Sequence, residues 1–174
     1  MKTKSISILM LFFLLACTVT TKHATRIKIT NSLDSIIHVE LYPKPAYYYS
    51  DSTYRSNSLG AAKSEKSFDL NANPGASKII FTSDNFSISG QDLLSQVFDS
   101  IVIKTKLDTA ITIRFSPASY HHYTQNIFTS SSIWLLQNAR IDHTIKSEPF
   151  GKEGWEEVYR QFVFIVKKDS ITKY

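Results

Sequence analysis

Five histidines and one cysteine are the side chains in this 174-residue chain best suited to hold a metal or attack an electrophile. The histidines are His23, His38, His121, His122 and His143. His121 and His122 are adjacent in "SPASYHHYTQN", where Asp142 or His143 would have to complete a metal site. Neighbours on extended chain point to opposite sides, so two of them rarely share one ion, and no His-x-His or His-x₃-His spacing occurs. For acyl transfer the chain lacks Gly-x-Ser-x-Gly. Its one Ser-x-x-Lys, "SITK" at 170–173, falls where a fraying terminus does not hold catalytic geometry. Five scattered glycines exclude a phosphate-cradling loop, and the adjacent Glu156 and Glu157 do not make a glycosidase pair. The expectation is no catalytic residue, no metal and no cofactor.

Aromatic loops offer a different chemistry. "YPKPAYYYSDSTY" (42–54) gathers five tyrosines and two prolines, and "SYHHY" adds two tyrosines more. Tyrosine presents a flat apolar face with a hydroxyl at its edge, which suits stacking on sugars or peptides. Tyr47, Tyr48 and Tyr49, with Tyr120, His121, His122 and Tyr123, are the candidate ligand-binding residues. The competing expectation is that these loops cap an open end of the fold. Trp134 and Trp155 are expected in the core or as loop plugs.

Cys17 follows "LMLFFLLA", and Lys2 and Lys4 precede that run. Residues 8–16 are nine apolar residues in succession. A spanning helix needs about 20. An export signal needs roughly 7–15 and ends in a small residue. The segment 1–16 therefore reads as a signal peptide. Its end, Leu14-Leu15-Ala16-Cys17, resembles the lipobox of bacterial lipoproteins. That resemblance implies a diacylglyceryl group on the Cys17 sulfur, cleavage before Cys17, and acylation of the new amino group with a fatty acid such as palmitate. Two or more chains anchor stably where one binds marginally. A thioether at Cys17 would also leave the mature chain without a thiol, a disulfide or a cysteine metal ligand.

The remaining 158 residues suit one domain. They carry 18 Lys and Arg against 15 Asp and Glu, without runs of like charge. Nucleic acid is not an expected partner, because phosphate tracking needs a concentrated basic face.

Along that domain, residues 17–25 read as the lipidated cysteine and a polar tether, and 26–174 as a single β-rich domain. "RIKIT" (26–30) and "IIHVELY" (36–42) alternate apolar and polar residues, with Ile27, Ile29, Ile37, Val39 and Leu41 inward. "SFDL" (67–70) and "SKIIFTS" (77–83) are split by a turn at Pro74-Gly75. "SIVIKT" (100–105) and "TAITIRF" (109–115) read as a hairpin. "YRQFVFIVKK" (159–168) is apolar on both faces and reads as a central strand. Residues 133–144 read as strand, with helix the alternative. "SGQDLLSQVF" (89–98) is the one helix, capped by Ser89. The pattern predicts a mainly β chain, an antiparallel β-sandwich with one short helix, and a small barrel as the alternative.

Five of the nine aspartates precede Ser or Thr, in "DSI" (34–36), "DST" (51–53), "DSI" (99–101), "DTA" (108–110) and "DSI" (169–171). Local backbone bonding in turns accounts for such pairs. The triplets also resemble the Asp-Ser/Thr-aliphatic O-glycosylation signal of exported Bacteroidota proteins, which would modify Ser35, Ser52, Ser100, Thr109 and Ser170. With the lipobox, "IKITNSLDSIIHVEL" and "FDSIVI", the chain resembles the small β-sandwich lipoproteins of that group. The resemblance implies a cell-envelope protein whose partners are the membrane, through its lipid anchor, and an envelope protein or glycan. Surface-directed members often carry acidic residues after the cysteine. "CTVTTK" has none, which implies an outer-membrane location facing the periplasm. The expected role is a non-enzymatic binding or structural module. A hydrolase acting on envelope glycan or peptide is the alternative.

Overall fold

In a computed structural model, which describes residues 20–106, 110–117, 126–128, 140–146 and 155–168, the period-two segments become strands. In chain order these are β1 (Thr20–Asn31), β2 (Ile37–Pro43), a 3₁₀ turn (Pro45–Tyr47), β3 (Thr53–Arg55), β4 (Lys63–Glu65), β5 (Ser67–Leu70) and β6 (Ala76–Ser83). Helix α1 (Gly90–Val97), β7 (Phe98–Lys106), β8 (Ala110–Phe115), β9 (Arg140–Lys146) and β10 (Trp155–Val166) follow. One sheet has the order β6–β1–β10–β9, a second β5–β2–β7–β8, and β3 with β4 forms a two-stranded ribbon. The pairs β1–β6, β2–β5, β2–β7, β3–β4 and β7–β8 are all antiparallel. The sheets do not close into a barrel, so the fold is the β-sandwich.

Chain contacts define two units. His23–Asp142 with Tyr159–Tyr174 form the larger one, and Met1–Lys22 with His143–Val158 the other, of which strand segments at 20–22, 143–146 and 155–158 are described. The core belongs to the larger unit. Ile27, Ile29, Phe162 and Phe164 from one sheet meet Val39, Leu41, Ile103 and Phe115 from the other. The Phe115 and Phe164 rings join the two layers edge to face, with centroids 5.7 Å apart. Burying each such side chain stabilises the fold by about 1.5–3 kcal/mol.

Two bulges break the alternation and explain where the sequence pattern fails. In β6 the register passes from Ile27↔Phe81 to Lys28↔Ile79, so Ile80 is an extra residue, and both Ile80 and Phe81 are buried. In β7 it passes from Tyr42↔Ser100 to Pro43↔Phe98, so Asp99 is the extra residue. Phe98 and Ile101 are three apart and would face opposite sides of a regular strand, yet both lie in the core. The cost of that accommodation is an exposed Asp99.

Helix α1 begins where expected. Ser89 is its N-cap, with Oγ accepting from the Asp92 amide at 3.1 Å and donating to Asp92 Oδ2 at 2.6 Å. Leu93, Leu94 and Val97 are buried as the helical spacing requires. Phe98 instead opens β7, because the chain turns directly from helix into strand.

Strand β1 begins at Thr20, so most of the stretch read as a polar tether is strand. β10 is central in its sheet, between β1 and β9, but Phe162, Phe164 and Val166 are buried while Val163 and Ile165 are only half-buried. Its two faces are unequal. Residues 140–144 of the ambiguous segment are strand, whereas 133–139 lie outside the described residues, as does Trp134. Among the described residues no helix is long and apolar enough to cross a membrane.

Candidate functional site

The outer face of the β5–β2–β7–β8 sheet is built by register. Asp69, His38, Lys104 and Thr112 form one row across the four strands. Ser67, Glu40, Val102 and Arg114 form the next, and Tyr42 with Ser100 begins a third. The same alternation that sends Ile37, Val39 and Leu41 into the core puts His38, Glu40 and Tyr42 on this face. Val102 stands in the charged second row and is still only 3 % exposed.

Charge on the face is largely paired. The Lys104 ammonium donates to Glu40 Oε1, and the Tyr42 hydroxyl donates to Glu40 Oε2 at 3.0 Å. His38 stands between two carboxylates, with Nδ1 2.6 Å from Asp69 Oδ1 and Nε2 3.5 Å from Glu40 Oε1. The Lys104 hydrogen bond holds the Glu40 carboxyl below its ordinary value, against a smaller opposing effect of desolvation. Glu40 is thus an ionised, saturated group rather than a proton donor.

Towards the end of the face where the tyrosine loop lies, the surface is concave, a shallow recess of about 620 Å³ lined by Tyr42, Tyr48, Asp51, Lys66, Asp99 and Arg114 with the Glu40–His38 edge. The bulge at Asp99 delivers that carboxylate together with Ser100 to the recess. The 3₁₀ turn opens with Pro45 and leads Tyr48 to it. The Tyr48 hydroxyl donates to Asp51 Oδ1 at 2.5 Å, which raises the phenol's pKa, and the Lys66 ammonium stands 3.9 Å from the ring centroid. Tyr49 has Lys63 at 3.7 Å from its ring, and Tyr42 has the Arg114 guanidinium at 5.0 Å. Aromatic faces and cations therefore alternate around an open, polar recess.

Of the residues singled out by sequence, Tyr48 and Tyr49 are about half exposed, at 47 % and 49 %, and Tyr48 lines the recess. Tyr47 differs. It is half-buried and packs edge to face on core Phe81 at 5.4 Å, so it belongs to the rim of the core rather than to a free platform. Tyr120, His121, His122 and Tyr123 lie outside the described residues, as do Cys17, Thr109 and Ser170. Ser52 is exposed, whereas Ser35 is half-buried, with its hydroxyl 3.0 Å from that of Thr105. Ser100 is 5 % exposed, so the folded chain withdraws it from the glycosylation set. Sequence reading did not single out Asp51, Lys66, Asp99 or Arg114. The Asp99-Ser100 pair is legible in the sequence as a modification signal, while the bulge that brings it to the recess has no signature in a single sequence. Among the described residues, no group of three or more His, Cys, Asp or Glu is placed to hold a metal ion.

The sequence matches no protein-family model and no curated protein. Among solved structures it is similar to catechol 1,2-dioxygenase from Acinetobacter sp. ADP1, inhibited by bound mercury, at 9 % identity and a TM-score of 0.27 over 91 % of this chain. It is similar to catechol 1,2-dioxygenase from Pseudomonas arvilla C-1 at 7 % identity and a TM-score of 0.27 over 88 %. The chain spans 63 % and 60 % of the lengths of those two proteins.

Proposed function

We propose that the protein is a lipoprotein of the cell envelope, held to the outer membrane by acyl chains on Cys17 and facing the periplasm, that binds a glycan in the recess on the β5–β2–β7–β8 sheet. The observation that carries the binding reading is the recess itself, where Tyr42 and Tyr48 stand beside Lys66, Arg114 and Asp99 on an open surface. Sugar rings offer apolar C–H faces that stack on tyrosine and hydroxyls that bond to charged side chains, so a wet, aromatic, polar surface fits them. No deep apolar pocket is needed for such a ligand, which suits the shallow form of this one. The lipobox supports the anchor, and the absence of acidic residues after Cys17 supports the periplasmic orientation.

The full chain, extracted from membranes in mild detergent, tests this on an array of envelope glycans. Binding that is lost in Tyr48→Ser with the fold intact supports the reading. Failure to retain any saccharide, or cleavage of one, overturns it, and cleavage would favour a hydrolase. Proteolysis of intact cells tests the orientation, since rapid loss of the protein would place it on the outer surface.

A further inference from the structure

We infer that the glycan taken by this recess is acidic, a saccharide whose carboxylate is held by Arg114 and Lys66 while its hydroxyls donate to Asp99. The inference rests on the glycan reading above and narrows it to a ligand class.

The argument is a balance of charges. Three carboxylates border the recess, and two are already occupied. Glu40 accepts from Lys104 and Tyr42, and Asp51 accepts from Tyr48. The two cations are not matched in the same way. Among the described residues no carboxylate pairs with Arg114 or Lys66, whose contacts are instead with the rings of Tyr42 and Tyr48. Each cation is therefore placed on an aromatic ring at the lip of the recess, with its hydrogen-bonding capacity unspent on protein anions. Arg114 is exposed, always charged, and presents a planar fork that matches a carboxylate.

Asp99 decides between a simple anion and a saccharide. It is exposed, and among the described residues nothing donates to it. A phosphate or sulfate ion would meet it as a like charge. A sugar acid presents hydroxyl donors a few ångströms from its carboxylate and satisfies all three groups together. Because the recess is open to solvent, the ionic part is screened and should weaken as salt is added.

The test titrates the full chain with tetragalacturonate, an alginate tetramer and sialyllactose, each against its methyl ester, at low and physiological salt. At least one acid should bind tenfold or more tightly than its ester. Arg114→Gln and Lys66→Gln should each cut acid affinity at least fivefold and ester affinity by less, so that the preference for acid over ester falls in both variants. Asp99→Asn should weaken acid and ester alike. Esters binding as tightly as acids, undiminished acid binding in Arg114→Gln, or displacement by millimolar inorganic phosphate would overturn the inference. Neutral saccharides bound with no acidic preference would sink the inference alone, whereas no saccharide bound at all would sink the glycan reading with it. Circular dichroism of each variant checks the fold.

Discussion

The phenol of Tyr54 donates to the backbone carbonyl of Ile80, the extra residue in the bulge of β6. A bulge leaves a ladder group without a strand partner, and in the core that orphan has no water to turn to. Tyr54 is fully buried, its ring packed on Phe98 at 5.5 Å, and burial pushes its phenol's pKa well above the ordinary value. The hydroxyl is therefore a permanent donor. Tyr54→Phe keeps the ring and removes the bond, leaving a buried carbonyl unsatisfied at a cost of about 1–3 kcal/mol. Urea unfolding should show a lower midpoint with an unchanged slope.

Asn31 performs a similar service at the end of β1 with more partners. Its side-chain amide donates to the carbonyls of Ser35 at 2.8 Å, Asn71 at 2.8 Å and Leu70 at 3.3 Å, while its Oδ1 accepts from the Leu33 amide at 3.0 Å. The residue is fully buried, and its bonds to the Leu70 carbonyl and the Leu33 amide are buried with it, while those to Ser35 and Asn71 lie nearer the surface. Asn31→Ala should cost on the order of 3 kcal/mol, more than the roughly 1 kcal/mol expected for removing the Ser89 cap by Ser89→Ala. A reversed ranking in urea unfolding would mean that this loop carries little of the fold's stability.

What the sequence made legible follows from what repeats along a chain. Ile27 and Ile29, or Ile37, Val39 and Leu41, announce their strands by alternation, and each is buried as that alternation requires. Ser89 and the Leu93–Leu94–Val97 spacing announce α1 in the same way. The recess is not periodic. Lys66 and Arg114 come near the tyrosine loop through strand order, and Asp99 through a one-residue slip against β2, and neither is written in any local stretch. Tyr47, Tyr48 and Tyr49 look equivalent in sequence, and only the packing of Tyr47 on Phe81 separates them.

That separation has a measurable consequence. Tyr47→Ser should lower stability by about 1 kcal/mol or more, because it strips an aromatic contact from the core rim. Tyr48→Ser should change stability by less than about 0.5 kcal/mol, since an exposed ring over a lysine contributes little, and should remove glycan capture. Equal thermal shifts for the two variants would place Tyr48 in the core as well.

Glu40 gives the outer face a pH signature. Its carboxyl lies below the ordinary value near 4.5 in the folded chain, chiefly through the Lys104 hydrogen bond. A group depressed on folding contributes stability that is fully present above the unfolded value and lost as pH falls through the folded one. Lys104 is exposed and Glu40 half-buried, so solvent screens the pair and the contribution is small. The difference in urea midpoint between the native chain and Glu40→Gln should be constant at pH 6–7 and shrink as pH falls below 4.5. A difference that shows no pH dependence below 4.5 would assign the effect of Glu40 to packing rather than to charge.

The anchor makes the last prediction, and it concerns location rather than stability. If Cys17 bears the acyl chains implied by Leu14-Leu15-Ala16-Cys17, its replacement removes the only residue in the chain able to form the thioether. Each buried methylene contributes about 0.8 kcal/mol, so losing two or more long chains abolishes partition outright instead of weakening it. Cys17→Ser should therefore move the protein from the detergent phase to the aqueous phase, or leave the uncleaved 1–16 segment attached. Strands β1 and β2 and the core they carry lie beyond that segment in sequence, so a soluble Cys17→Ser product should unfold at the native urea midpoint. Mass spectrometry of the native chain should find cleavage before Cys17 and the added mass of the acyl groups. An unmodified thiol on a membrane-bound protein would assign the attachment to another part of the chain.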